Sequence, residues 1–178
     1  MTDLEIVTFI VKRFERGFVN DPDDNGKATK DGVTQAALGR ARRLGRDATV
    51  DEVRALPTDE AITILLQDYV YACRFDRIAS WPLRFAVIDY AINSGTAHAG
   101  RVLQRILGLQ PDGAIGPVSL ARINGLSVDA RRVVGAQYVG DRIRLVGRLV
   151  TRNPARRQYR FGEGWCNRVA TVRETIAA

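Results

Sequence analysis

Histidine is almost absent from this chain. Among 178 residues His98 is the only one, and Cys73 and Cys166 are the only cysteines. A zinc site of the two- or three-histidine kind cannot be assembled from that stock, and two cysteines are too few to substitute. This excludes the usual metal-dependent amidases and peptidases, and no cofactor is expected. A Ser-His-Asp hydrolase would have to use His98, yet no GxSxG turn accompanies it. Cys73 lies inside an apolar helical stretch, a poor setting for a Cys-His nucleophile. P-loop and GxGxxG signatures are missing, which leaves nucleotide chemistry without support. The cysteines form neither a CxxC pair nor a multi-bridge framework, and they read as two reduced, buried thiols.

Long apolar runs are missing too. No stretch approaches the ~20 residues of a membrane span. The opening MTDLEIVTFIVKRFERG is interrupted by Asp3, Glu5, Lys12 and Arg13 where a signal peptide would have an unbroken apolar region. The expectation is a soluble chain made in the bacterial cytoplasm, which another agent must release if its substrate lies outside the membrane.

Positive charge is plentiful. The formal net charge is +7, with arginine clusters at Arg40, Arg42, Arg43 and Arg46 and at Arg152, Arg156, Arg157 and Arg160. Such an excess favours any polyanion, whether nucleic acid, anionic lipid or an acidic cell wall, and does not choose among them. Hydrophobic residues make up 46% of the chain, enough for one substantial core or a compact core with a second lobe.

Helical periodicity dominates. Leu4, Val7, Ile10, Val11 and Phe14 fall on one face, and Thr2 with Glu5 has capping-box spacing, which predicts a helix over about 3–16 ended by Gly17. The following segment FVNDPDDNGKATKDG is rich in turn residues and reads as a structured loop with room for a short hairpin. Thr34 starts another helix, Thr49 and Glu52 repeat the capping-box spacing, and Thr58 precedes a longer apolar helix. After a boundary near Asp76 to Pro82, helices are expected at about 82–93, 97–107, 117–124, 128–149 and 162–176, punctuated by Gly95, Gly108, Asp112-Gly113 and Pro154. No alternating pattern of useful length appears, so the fold class is mainly α.

What remains is carboxylate chemistry. Glu15 stands at the end of an amphipathic helix, ahead of a loop holding Asp21, Asp23, Asp24, Thr29, Asp31 and Thr34. Glycoside hydrolysis needs a carboxylic acid to protonate the leaving oxygen and a second group to complete the displacement. The same residues also suit a solvated helix end followed by Asx turns. Composition and spacing leave both readings open.

The run FERGFVNDPDDNGKATKDGVTQAAL closely resembles the opening motif of glycoside hydrolase family 108, an endolysin and autolysin family of N-acetylmuramidases with a pattern near EGGYVNDPxDxGGxTxxGIT. The resemblance implies that Glu15 is the catalytic acid and places the motif's Asp at Asp24 and its Thr at Thr29. Arg16 stands where the family has the second Gly, Phe18 replaces a Tyr and Lys27 replaces a Gly. Further on, DYAINSGTAHAGRVLQRILGLQPDGAIGPVSLARI resembles the predicted peptidoglycan-binding region that follows the motif in this family, and GWCNRVATVR its closing helix.

The expectation is a mainly α chain with a lysozyme-like helical catalytic part, 1–78, and a helical peptidoglycan-binding part, 79–178, packed against it. It would cleave the bond between N-acetylmuramic acid and N-acetylglucosamine. Glu15 would act as general acid, while Asp24 and Thr29 position a water or stabilise the oxocarbenium-like transition state. Asn93, Gln104, Tyr90 and Asp89 are candidates to line a glycan groove. Trp81 and Trp165 read as core anchors, and His98 as a surface residue. The partner is the glycan strand, with a holin for release; nucleic acid is not required, and a monomer is expected. Two alternatives stay open: a lytic transglycosylase acting on the same bond, and a non-catalytic basic wall- or nucleic-acid-binding module.

Overall fold

The computed structural model describes residues 1–20, 28–152 and 158–177. Asp21, Asp23, Asp24, Lys27, Pro154, Arg156 and Arg157, all singled out above, lie outside the described residues. The chain divides into two compact units, Met1–Ala72 and Cys73–Ala178. The chain is mainly helical, with one small sheet among the described residues.

In the first unit, helix α1 (Asp3–Ile10) opens with the expected reciprocal cap between Thr2 and Glu5. Its buried residues are Ile6, Val7 and Ile10. Leu4, expected on the same face, is 56% exposed, because the buried stripe follows Ile6-Val7-Ile10-Val11. The helix widens into a π-helical turn, Val11–Glu15. Such a turn advances every residue beyond it by one position relative to a straight α-helix, and these turns recur at functional sites.

Strands β1 (Phe18–Asn20), β2 (Ala28–Lys30) and β3 (Val33–Thr34) form an antiparallel sheet in that order. Phe18 pairs with Lys30, Val19 with Thr29 and Asn20 with Ala28, while Thr29 and Lys30 pair on the other side with Thr34 and Val33. Asp31 and Gly32 connect β2 to β3 with φ of 50° and 83°. Positive φ at both central residues is what a two-residue type I′ turn requires.

Thr34 caps α2 (Gln35–Ala41), and Thr49 with Glu52 makes the second reciprocal cap, on α3 (Val50–Arg54). Helix α4 (Thr58–Leu65) runs into a second π-helical turn, Leu66–Tyr71. Its cap position is Pro57, so Thr58 is the first helical residue and its hydroxyl is spent elsewhere. Helix α1 packs on α4 and on the turn that follows it. The core there comprises Ile6, Ile10, Val33, Leu38, Val53, Leu56 and Leu65, each fully buried aliphatic contributing about 1.5–3 kcal/mol.

In the second unit, a 3-10 turn (Phe75–Arg77) leads to α5 (Trp81–Ser94). Every residue from Phe85 to Ala91 is buried, as expected of a helix surrounded on several sides. Helices α6 (Thr96–Ile106), α8 (Val128–Arg152) and α9 (Gly162–Ala177) pack on it, with α7 (Pro117–Asn124) between α6 and α8 in sequence. The helix limits lie within three residues of those read from the sequence.

Neither cysteine is in a disulfide, but Cys73 is half-buried and Cys166 exposed, so the expectation of two buried thiols is corrected. Trp81 and Trp165 are half-buried and stand outside the fully buried core, and Trp165 lies 5.8 Å from the ring of Phe161. Among the described residues, no helix is long and apolar enough to cross a membrane.

Candidate active site

Glu15 is the last residue of the π-helical turn, and its side chain is half-buried. Beyond it Arg16 is already extended, with φ −62° and ψ 127°, and its side chain is exposed. Gly17 then reverses the chain with φ +97°. On one side the Glu15 stem meets the β2-β3 turn: a Cβ placed on Gly32 would lie 3.3 Å from Glu15 Cγ and 3.4 Å from Leu65 Cδ1. Glycine at 32 therefore leaves room for the carboxylate-bearing side chain, besides permitting the positive φ.

Asp31, 3% exposed, fastens this arrangement. Its Oδ1 accepts from the Gly17 amide at 2.8 Å, and its Oδ2 accepts from the Thr58 hydroxyl at 2.7 Å. The Asp31 amide in turn donates to the Gly17 carbonyl at 3.2 Å. One buried carboxylate thus joins the exit of the Glu15 turn, the hairpin and the start of α4.

Thr29 is half-buried at the centre of β2, the middle strand, between Val19 and Thr34. Phe14 is half-buried and packs edge-on to Phe9, with centroids 6.1 Å apart. Phe18 is also half-buried, and the Arg54 guanidinium lies 4.8 Å from its ring centre. The first unit therefore brings Glu15 and the strand carrying Thr29 into one small helix-and-hairpin assembly; Asp24 lies outside the described residues.

Three of the four candidates in the second unit, Asp89, Gln104 and Tyr90, have other employment. Asp89, fully buried, accepts from Arg142 through Oδ2 and from Arg168 Nε through Oδ1 at 3.0 Å. Burial pushes its pKa up, but Arg168 and Arg142 outweigh that and hold it below the usual carboxylate value. Gln104, 2% exposed, donates to Asp112 Oδ1 at 2.7 Å and to the Ala114 carbonyl at 3.0 Å, and accepts from the Gly113 amide at 2.7 Å. As placed, neither group offers a sugar an accessible polar atom; Asp89 ties three helices and Gln104 shapes the 112–114 turn.

Tyr90 has a buried ring under the Arg142 guanidinium, 4.9 Å away, and its hydroxyl lies 3.3 Å from both His98 Nε2 and Asp141 Oδ2. Burial, followed by the Asp141 charge, drives its pKa well upward. Asn93 is exposed and accepts from Ser94 at 3.2 Å. Of the four groove candidates it is the one placed at the surface. His98 is not the surface residue expected from sequence: it is half-buried, 5.5 Å edge-on from Tyr90.

Asp31 and Thr58 were missed as a linked pair by the sequence reading. The signal available was the Asp-Gly dipeptide ahead of Val33-Thr34, a strong hairpin mark even where the strands are short.

Comparison with known proteins places these features in context. Residues 8–95 match the family described as Glycosyl hydrolase 108, and residues 98–170 match the family described as Predicted Peptidoglycan domain. A solved structure described as "Structure of Brucella abortus SagA" superposes with a TM-score of 0.81 and 29% identity, covering 98% of this chain and 93% of that one. No curated protein matches.

Proposed function

We propose, for a chain that belongs to the glycosyl hydrolase 108 family and carries a predicted peptidoglycan domain behind the hydrolase region, that it cleaves the bond between N-acetylmuramic acid and N-acetylglucosamine with Glu15 as the general acid. The observation that carries this reading is the setting of Glu15: a half-buried carboxyl side chain at the end of a π-helical turn, packed against the hairpin glycine, inside the hydrolase match. A general acid needs partial shelter from water, and the half-buried position of Glu15 supports that role.

In the proposed step, Glu15 gives its proton to the bridging oxygen as the bond from that oxygen to the muramic C1 breaks. Positive charge then develops on C1 and the ring oxygen. Water adds to C1 and surrenders a proton to a carboxylate, so the products are a reducing muramic end and a free glucosamine hydroxyl. Thr29 and Asp24 are assigned to holding that water or stabilising the developing charge. Asn93 is kept as a groove contact; Asp89, Tyr90 and Gln104 support the surface from within. The endolysin role, with holin-type release and a monomeric enzyme, belongs to the same reading.

Digestion of purified sacculi followed by mass spectrometry tests it. The expected muropeptides carry one added water and a reducible muramic end. Anhydro ends formed without water would identify a lytic transglycosylase. Salt-sensitive binding without any cleavage would identify a wall-binding module.

A further inference from the structure

Asp31 joins the exit of the Glu15 turn to the hairpin with a side chain directed wholly at the framework. Asp31 is 3% exposed, and both of its oxygens are engaged within the first unit. The register that pairs Phe18 with Lys30 would next pair Gly17 with Asp31, and in a regular ladder such a pair exchanges two backbone hydrogen bonds. Here one is made, from the Asp31 amide to the Gly17 carbonyl at 3.2 Å. The chain turns at Asp31 with φ 50°, and the acceptor for the Gly17 amide is the Asp31 carboxylate instead, at 2.8 Å. The other carboxylate oxygen takes the Thr58 hydroxyl at 2.7 Å. A methyl group on the next residue, Gly32, would lie 3.3 Å from Glu15 Cγ, so the glycine leaves room for the Glu15 stem.

We infer that Asp31 is the positioning residue for the Glu15 carboxyl: it fixes the exit of the Glu15 turn at Gly17, holds the Gly32 backbone against the Glu15 stem, and anchors both to the first turn of α4 through Thr58. This rests on the reading of Glu15 as the acid. Asp31 touches no substrate; it acts through the geometry of Glu15. Aspartate suits the position because it tolerates a left-handed backbone better than most residues and offers two acceptors.

The test measures maximal rate and half-saturating concentration on dye-labelled sacculi, at a temperature where circular dichroism shows each variant folded. Asp31→Ala should lower the maximal rate by about 100-fold, the scale expected when a reacting group is displaced by ~1 Å, with half-saturation within about 2-fold of wild type. Asp31→Asn keeps the acceptor for Gly17 and tolerates the same backbone, so it should recover the rate to within about 5-fold. A folded Asp31→Ala with an unchanged rate, or an Asn variant as weak as the Ala one, overturns the inference. If Asp31→Ala does not fold, Thr58→Val decides: it frees one carboxylate oxygen, and a fall of about 5-fold or more in rate at constant half-saturation is expected, while an unchanged rate overturns the assignment. Glu15→Gln, run alongside, separates the two ideas. Full activity in that variant removes the acid and the positioning role together, whereas an inactive Glu15→Gln beside an unaffected Asp31→Ala removes only the latter.

Discussion

Gly32 faces the side chain of Glu15: a methyl group at 32 would sit 3.3 Å from Glu15 Cγ. Gly32 also has φ +83°. Gly32→Ala should therefore do two things at once. It costs about 1–2 kcal/mol from the left-handed backbone, and it presses on the Glu15 stem. A lower melting temperature together with a rate loss that persists well below melting is expected, measured by thermal denaturation and sacculus clearing. A variant with wild-type rate and stability would mean that this contact has no influence on Glu15.

Asp89 holds two buried guanidiniums, those of Arg142 and Arg168. Asp89→Ala removes the buried carboxylate that both guanidiniums share, and about 3–5 kcal/mol of stability should be lost. Urea denaturation checks this. The folded-state pKa of Asp89 lies below its ordinary value of 3.8. The stabilisation is thus present above about pH 3.8 and lost as pH falls through the folded pKa. Acid unfolding should begin at higher pH once Arg168 is replaced by Met.

His98 is the sole histidine, so its imidazole gives an unambiguous NMR signal. Burial lowers its pKa from 6.5; Asp141 opposes this, while Arg105, Arg101 and Arg148 add to it. The neutral ring is favoured in the folded chain, and its contribution is fully present above pH 6.5 and declines as pH falls toward the folded pKa. The titration midpoint should lie below 6.5. A midpoint above 6.5 would show that Asp141 dominates the site.

Much of the second unit was legible in sequence because its helices are long and bounded by strong stops: Gly95, Gly108 and Pro117 mark limits that the structure keeps. The motif around Glu15 was legible as a string of residue types, but its three-dimensional fastening was not. Strands of two or three residues carry no readable alternation, and the bond from Asp31 to Thr58 spans 27 positions. Asp89 and Gln104 looked like groove residues since polar side chains near a ligand-like motif invite that reading. Their partners, Arg168 and Asp112, are set by helix packing and turn geometry that no local pattern reveals.

The most direct measurement is the rate at which Glu15→Gln releases muropeptides from purified sacculi, compared with the wild-type chain at equal folded concentration. The substitution keeps the side-chain shape against Gly32 and removes the transferable proton. The expected result is a fall of about 10²–10⁴-fold, with unchanged binding to sacculi. Release at the wild-type rate by that variant would contradict it.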